Sequence, residues 1–233
     1  MPVTDTGQGG TLAKTHEGQP GLPRGRSRLP PPAVRASQRE RLLRSVIAAV
    51  SESGYLAVTV ADIVRGARVS RAAFYAHFAD KEDCFLAATA EGRELMIAQI
   101  VSATRALPAG SCDEEVLRVA CRAYLAFLVG EPAFARVFYI HMPAAGRRAV
   151  DRLDAAAGLF ADLNRKWHRR ALERHPEWPS VPGEVYLALA GAAGELVRSM
   201  VRAGRPDALP ELEETLVSLY LAVLAARPWP AGT

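Results

Sequence analysis

Hydrophobic positions recur at three- and four-residue steps along most of the chain, the spacing that lines one face of a helix. Leu42, Leu43, Val46, Ile47 and Val50 form the first such stripe. Ser37, with Glu40 three residues on, reads as a capping box, so a helix is expected to start at Ser37 and to end at Gly54. Thr59 and Asp62 make a second box, ahead of Val60, Ile63, Val64 and Ala67. Arg68 and Val69 form a tight turn to Ser70, the expected cap of a third, short helix on which Phe74 and Phe78 fall four apart and pack inward. Asp80 is expected to cap a fourth, with Glu82 and Asp83 in its first turn, where the helix dipole favours anions. Longer helical patterns cover 80–106, 113–129, 132–142, 147–175, 183–203 and 208–226, punctuated by prolines and glycines such as Pro108, Gly130, Pro143, Pro182 and Gly204. Strand-like runs are scarce, and the fold class expected is all-α.

Two short helices across a turn make a helix-turn-helix, whose second helix enters the major groove of DNA. The third helix suits that task. Ala72 and Ala73 let its backbone approach base edges, Arg71 reaches a guanine edge or a phosphate, and Tyr75 and His77 point where they can bond phosphates. Lys81, at the front of the fourth helix, adds a cation beside backbone N–H groups, a pairing that suits a phosphate oxygen.

Charge sharpens this picture. The net charge is +4, but residues 24–85 alone carry eleven basic against six acidic side chains, while 86–233 balance. The excess sits in the block that holds the helix-turn-helix, which points to a polyanion partner, double-stranded DNA. Residues 1–36, rich in Gly, Pro and Arg, read as a disordered basic tail; Arg24, Arg26, Arg28 and Arg35 either keep it solvated or form a minor-groove arm. Hydrophobic residues make up 49% of the chain, a globular composition, and the longest apolar run, Leu216 to Ala226, is shorter than the roughly 20 residues a membrane span needs. With no secretory pattern and three unpaired cysteines (Cys84, Cys112, Cys121), a cytoplasmic protein is expected, its thiols either buried small hydrophobes or redox sensors.

At Gly54 to Phe85, "GYLAVTVADIVRGARVSRAAFYAHFADKEDCF", the chain resembles the DNA-binding domain of TetR-family transcriptional regulators. Gly54-Tyr55, Thr59, Ile63, Ala67, Val69-Ser70, Tyr75, His77-Phe78 and Lys81 match that family's pattern. The resemblance implies phosphate contacts from Thr59, Tyr75, His77 and Lys81 and base reading by the front of helix three. Two departures stand out: Val64 replaces the common Ala, and Arg68 stands where Gly is usual. If that turn needs a positive φ, Arg68 costs on the order of 1 kcal/mol there, while placing a cation near DNA. The domains expected are a tail at 1–36, a three-helix helix-turn-helix domain at 37–82, and a larger helical ligand-binding and dimerisation domain at 83–227.

The larger domain offers two further sets. Leu187, Gly191 and Gly194, with Ala188 and Ala192, give a smooth helix face, and Leu216, Leu219, Tyr220 and Val223 an apolar one. Two such helices from each of two chains would make a homodimer, which would also set two reading helices on a palindromic operator about 34–36 Å apart; either helix could instead serve the monomer core. Tyr124, Phe127, Phe138, His141, Met142 and Trp167 are candidates to line a pocket for a small-molecule effector, or plain core. The basic run "NRKWHRR" at 164–170 is a solvated face or an anionic effector site. The sequence carries no catalytic motif, and its histidines (His16, His77, His141, His168, His175) have no metal spacing, so no enzyme, metal or cofactor is expected. The function expected is a sequence-specific transcriptional regulator, a repressor released by an effector. The rival is an all-α carrier or enzyme with a structural N-terminal domain.

Overall fold

The computed structural model describes residues 10–15 and 31–225. It is helical, with no strand among the described residues. The chain groups into two compact units: residues 1–92 with 130–149, and 93–129 with 150–233. The unit around the helix-turn-helix thus takes in the first half of the fourth helix and a segment from mid-chain, which the sequence division at 82 and 83 does not anticipate.

In the first unit, α1 runs Pro31–Ser53, α2 Val60–Ala67 and α3 Arg71–Tyr75; α4, Lys81–Arg105, begins in this unit. The helix start expected at Ser37 is corrected to Pro31. Proline is favoured in a first turn because its missing N–H has no partner there anyway, and the alanines and arginine that follow continue the helix through Ser37. Leu42, Val46, Ile47, Val50, Ile63, Phe74 and Phe85 are buried, with Phe74 and Phe78 5.9 Å apart between ring centres. Ser45 donates to the carbonyl of Ile63 at 2.8 Å, tying α1 to α2. Phe134 packs against α4 where Gly92 has no side chain: a Cβ there would lie 2.2 Å from the Phe134 ring.

Residues 132–142 are not one helix. α6, Pro132–Arg136, passes into a π-helical turn at Val137–His141 and a 3-10 turn at Met142–Ala145. Pro143 has no N–H with which to extend an α ladder, and the Met142 N–H reaches back to Val137 O instead. Thr11–Ala13, inside the stretch read as tail, forms a 3-10 turn packed on α1 and α6. Arg24, Arg26 and Arg28 lie outside the described residues.

The second unit holds the rest of α4, then α5 (Asp113–Gly130), α7 (Arg147–Arg174), α8 (Gly183–Arg202) and α9 (Glu213–Leu224). The pattern at 208–226 splits likewise: Pro206–Leu212 is a 3-10 stretch containing Pro210, and α9 follows. His168 is fully buried; the Tyr186 hydroxyl is 2.9 Å from Nδ1, and Nε2 donates to Leu224 O at 3.0 Å. Burial holds its pKa below the ordinary imidazole value. Asp113, also buried, is paired with Arg174 and lies 3.3 Å from His175 Nε2. Among the described residues no single helix is long and apolar enough to cross a membrane.

Candidate nucleic-acid interface

Thr59 caps α2 and closes the box expected from its sequence. Its backbone N–H donates to Asp62 Oδ2 at 3.0 Å, and the Asp62 N–H returns a bond to the Thr59 hydroxyl. The hydroxyl also donates to Asp62 Oδ2 at 2.6 Å. These bonds, with the Arg65 guanidinium at 2.6 Å, pull the Asp62 pKa down to about 2. Thr59 therefore presents its exposed side chain already engaged in the cap.

Arg68 ends α2 at φ 53°, ψ 45°, the left-handed region. Its N–H bonds to Arg65 O at 3.1 Å, and the Val69 N–H reaches Val64 O at 3.2 Å, a Schellman pair that satisfies carbonyls the helix end leaves open. The usual Gly in this turn has a clear physical reason, and this chain departs from it. The turn aims Ser70, whose hydroxyl accepts the Ala73 N–H at 3.0 Å and so starts α3.

α3 is five residues long and divided by exposure. Phe74 is fully buried, while Arg71, Ala72 and Tyr75 are exposed, Tyr75 by 50%, and Ala73 is half-buried. The Arg71 guanidinium sits 5.8 Å over the Tyr75 ring.

Two residues expected on phosphates are engaged otherwise. Lys81 Nζ donates to Tyr55 O at 2.9 Å and Val58 O at 2.8 Å and lies 4.3 Å over the Tyr55 ring. Its three N–H directions face the turn between α1 and α2, because that turn leaves carbonyls without helical partners. His77 is half-buried, its Nε2 covered and without a protein partner; burial, then Arg35 and Arg39, hold its pKa below the ordinary value, so the ring is neutral. Arg65, exposed on α2, is paired with Asp62 at 2.6 Å, an ordinary i, i+3 helix-surface pair.

The effector candidates divide between the units. Phe138, His141 and Met142 belong to the first: Phe138 stacks on Phe134 at 5.5 Å, Met142 is buried, and His141 Nε2 is covered without a partner. Tyr124, Phe127 and Trp167 belong to the second: Tyr124 meets Phe160 edge-on at 5.9 Å, Phe127 is buried, and Trp167 donates to Asp113 O at 3.1 Å. Within the dimer set, Leu187 and Gly191 are exposed and Gly194, Leu219 and Val223 half-buried. Leu216 and Tyr220 are turned into this chain's own core, since the 216, 217, 220, 224 spacing is the inner face of α9. Asn164 donates to the Tyr220 hydroxyl at 3.2 Å. Cys84 and Cys121 are buried, which raises both thiols above the ordinary value, Cys121 to about 12 and far from a reactive thiolate. Cys112 is exposed. No group of three or more His, Cys, Asp or Glu among the described residues could hold a metal ion.

Residues 43–88 match the family model of bacterial regulatory proteins of the tetR family. No protein of established function matches the chain by sequence. Among solved structures, the fatty acid degradation regulator FadR of Bacillus halodurans superimposes with a TM-score of 0.72 at 17% identity, over 82% of this chain and 97% of that one. The FadR of Bacillus subtilis, solved with stearoyl-CoA, gives 0.69 at 14% identity over 78% and 96%. A TetR-like transcriptional regulator from Rhodococcus sp. RHA1 gives 0.61 at 23% identity over 86% and 100%. Residues 43–88 thus match the tetR-family model, and the chain shares its fold with solved TetR-like structures.

Proposed function

We propose that the protein is a sequence-specific DNA-binding transcriptional regulator, a repressor that acts as a homodimer on a palindromic operator and is released by a small-molecule effector. The observation that carries it is the exposure of α3: Phe74 anchors the helix from behind, while Arg71, Ala72 and Tyr75 stand free on its outer side. A structural strut would bury both faces. Arg71 and Ala72 are the base-reading candidates, with Ala73 close behind; Thr59, Arg68, Ser70 and Tyr75 flank them as backbone contacts. The matching family model over 43–88 supports the same assignment.

Release requires an effector that binds one arrangement of the dimer better than the other, and its differential affinity sets the effect, typically about 1–3 kcal/mol. A long-chain acyl-CoA is the first probe, because a protein of this fold is known with stearoyl-CoA bound. Tyr124, Phe127 and Trp167 of the second unit are the apolar and polar groups from which such a site would draw.

The test is selection of fragments from genomic DNA by the full-length protein, followed by titration of stearoyl-CoA against the selected duplex. A palindromic consensus, bound with an affinity that falls steeply as salt rises, is expected. DNA not retained at any salt would refute the reading and leave the carrier as the alternative.

A further inference from the structure

Arg93 lies on α4 in register with Met96 and Ile100, one and two turns on, both buried. These residues belong to the second unit, where Gln99 Nε2 donates to Ala123 O at 3.2 Å and ties α4 to α5. Glu94 and Leu95 mark the outer face of the helix, both exposed. The Arg93 side chain is only 12% exposed, and its Nε is covered and without a hydrogen-bond partner. Its one ion pair among the described residues is to Glu94, 3.9 Å from Nη2. That is too long for a hydrogen bond, and the Glu94 carboxylate stands in water. Other arginines of the same unit invert this arrangement: Arg118, Arg122, Arg174 and Arg198 are each bonded to a carboxylate, and each is more exposed than Arg93. A guanidinium cannot shed its charge as an ammonium can, so a buried one is costly until an anion stands beside it. Folded proteins bond nearly all such groups, and an orphan calls for an ion or water to complete it. Water fills a hydrogen bond but does not balance the charge.

We propose that Arg93 is the anchor for the anionic group of an amphiphilic effector, with a carboxylate or phosphate at the guanidinium and an apolar chain beside Met96 and Ile100. The word effector rests on the function proposed above; the anion site itself does not. One cation on an otherwise apolar helix face is the make-up of a site for a fatty chain with a charged head. The planar fork of a guanidinium matches two oxygens of a carboxylate or a phosphate, so it selects the head group by geometry as well as by charge. A neutral effector of the same length would leave Arg93 unbalanced. The ligand therefore relieves a cost that the unliganded unit carries, and binding stabilises the folded chain.

The test is calorimetric binding of laurate, lauroyl-CoA and the neutral dodecanol to the full-length protein and to its Arg93→Met and Arg93→Lys variants, with the melting temperature of each protein taken without ligand. The parent is expected to bind at least one of the two anions at least about tenfold more tightly than dodecanol, a preference that Arg93→Met loses and Arg93→Lys keeps in part. Tight laurate assigns the carboxylate, and tight lauroyl-CoA with weak laurate assigns the phosphates. Unliganded Arg93→Met should melt no lower than the parent, because methionine keeps an apolar stem and removes an unpaired charge. Dodecanol bound as tightly as the anions, neither anion bound by the parent, or an anion preference that survives in Arg93→Met would each overturn the site. So would a large fall in the melting temperature of Arg93→Met, which would show that the guanidinium already has its partner inside the fold. None of these measurements contains DNA. A protein that binds the anion through Arg93 but retains no duplex keeps the site and fails the proposed function; one that binds its operator but neither anion keeps the function and loses the site.

Discussion

Arg68 is the single described non-glycine residue with positive φ, and it holds the turn that aims α3. The left-handed region costs an L-residue about 1–2 kcal/mol, of which a glycine regains part and loses part again through the freer unfolded chain. Arg68→Gly is therefore expected to raise stability by up to about 1 kcal/mol in urea unfolding. If α3 reads DNA as proposed, operator affinity should fall, because the exposed guanidinium beside that helix is lost. Gains in both would show that Arg68 contributes nothing to DNA. Lys81 invites a different comparison. Sequence alone puts its ammonium on a phosphate, whereas its donors are spent on Tyr55 O, Val58 O and the Tyr55 ring. Lys81→Met keeps the stem and removes the clamp, so it should weaken DNA binding with the salt slope unchanged. A slope reduced by about 0.9, the value of one lost phosphate contact, would return Lys81 to the DNA surface.

At the scale of elements, a five-residue helix cannot hold itself, since nucleating a helical turn is unfavourable on its own. α3 exists because Ser70 caps its start and Phe74 fixes its inner side. Phe74→Ala should cost about 3–5 kcal/mol in denaturant unfolding, whereas Ser70→Ala should cost about 1 kcal/mol and chiefly lower operator affinity. Equal losses in the two variants would mean that the cap, and not the buried ring, carries the helix. These local devices were legible in the sequence: the Thr59–Asp62 box, the Ser70 cap and the four-residue spacing of Phe74 and Phe78 each act within one turn. Less legible were features set by partners far along the chain. Ser37 looks like a cap because its signature is local, but the helix continues back to Pro31 with nothing to stop it. Apolar residues at 132–142 keep helical spacing although Pro143 forces the ladder into π and 3-10 turns. Leu216 and Tyr220 cannot be sorted from Leu219 and Val223 by spacing alone, because α9 is apolar on more than one side. The bonds between Glu131 and Thr11 span 120 positions and leave no trace in any window.

At the scale of the whole molecule, titration and the proposed pairing can both be tested. His77, His141 and His168 all have pKa values lowered chiefly by burial. A lowered folded value means that the unfolded chain takes up protons first as pH falls below about 6.5, so stability is full above that pH and declines on acidification toward the folded values. Asp62 loses its contribution only on the way down to about 2, so a decline between pH 6.5 and 5 belongs to the histidines. Urea unfolding across that range should show the decline, and His168→Gln should flatten it; a pH-independent midpoint would contradict the buried neutral rings. The proposed homodimer would pair through α8, where Leu187 is 48% exposed while Val185 and Leu189 beside it are buried. Leucine left in water at that position, next to Ala188 and Gly191, is what a second copy would cover, and burying one leucine is worth about 1.5–3 kcal/mol. Leu187→Glu should therefore raise the dimer dissociation constant at least about tenfold in sedimentation, with the far-UV spectrum unchanged. Operator affinity should fall with it, because two half-sites then have to be bound independently. Leu216→Ala provides the contrast: its side chain is 1% exposed within this chain, so it should cost about 2–5 kcal/mol of folding stability before it touches association. If Leu187→Glu leaves the dimer intact, the outer face of α8 is excluded as the pairing surface.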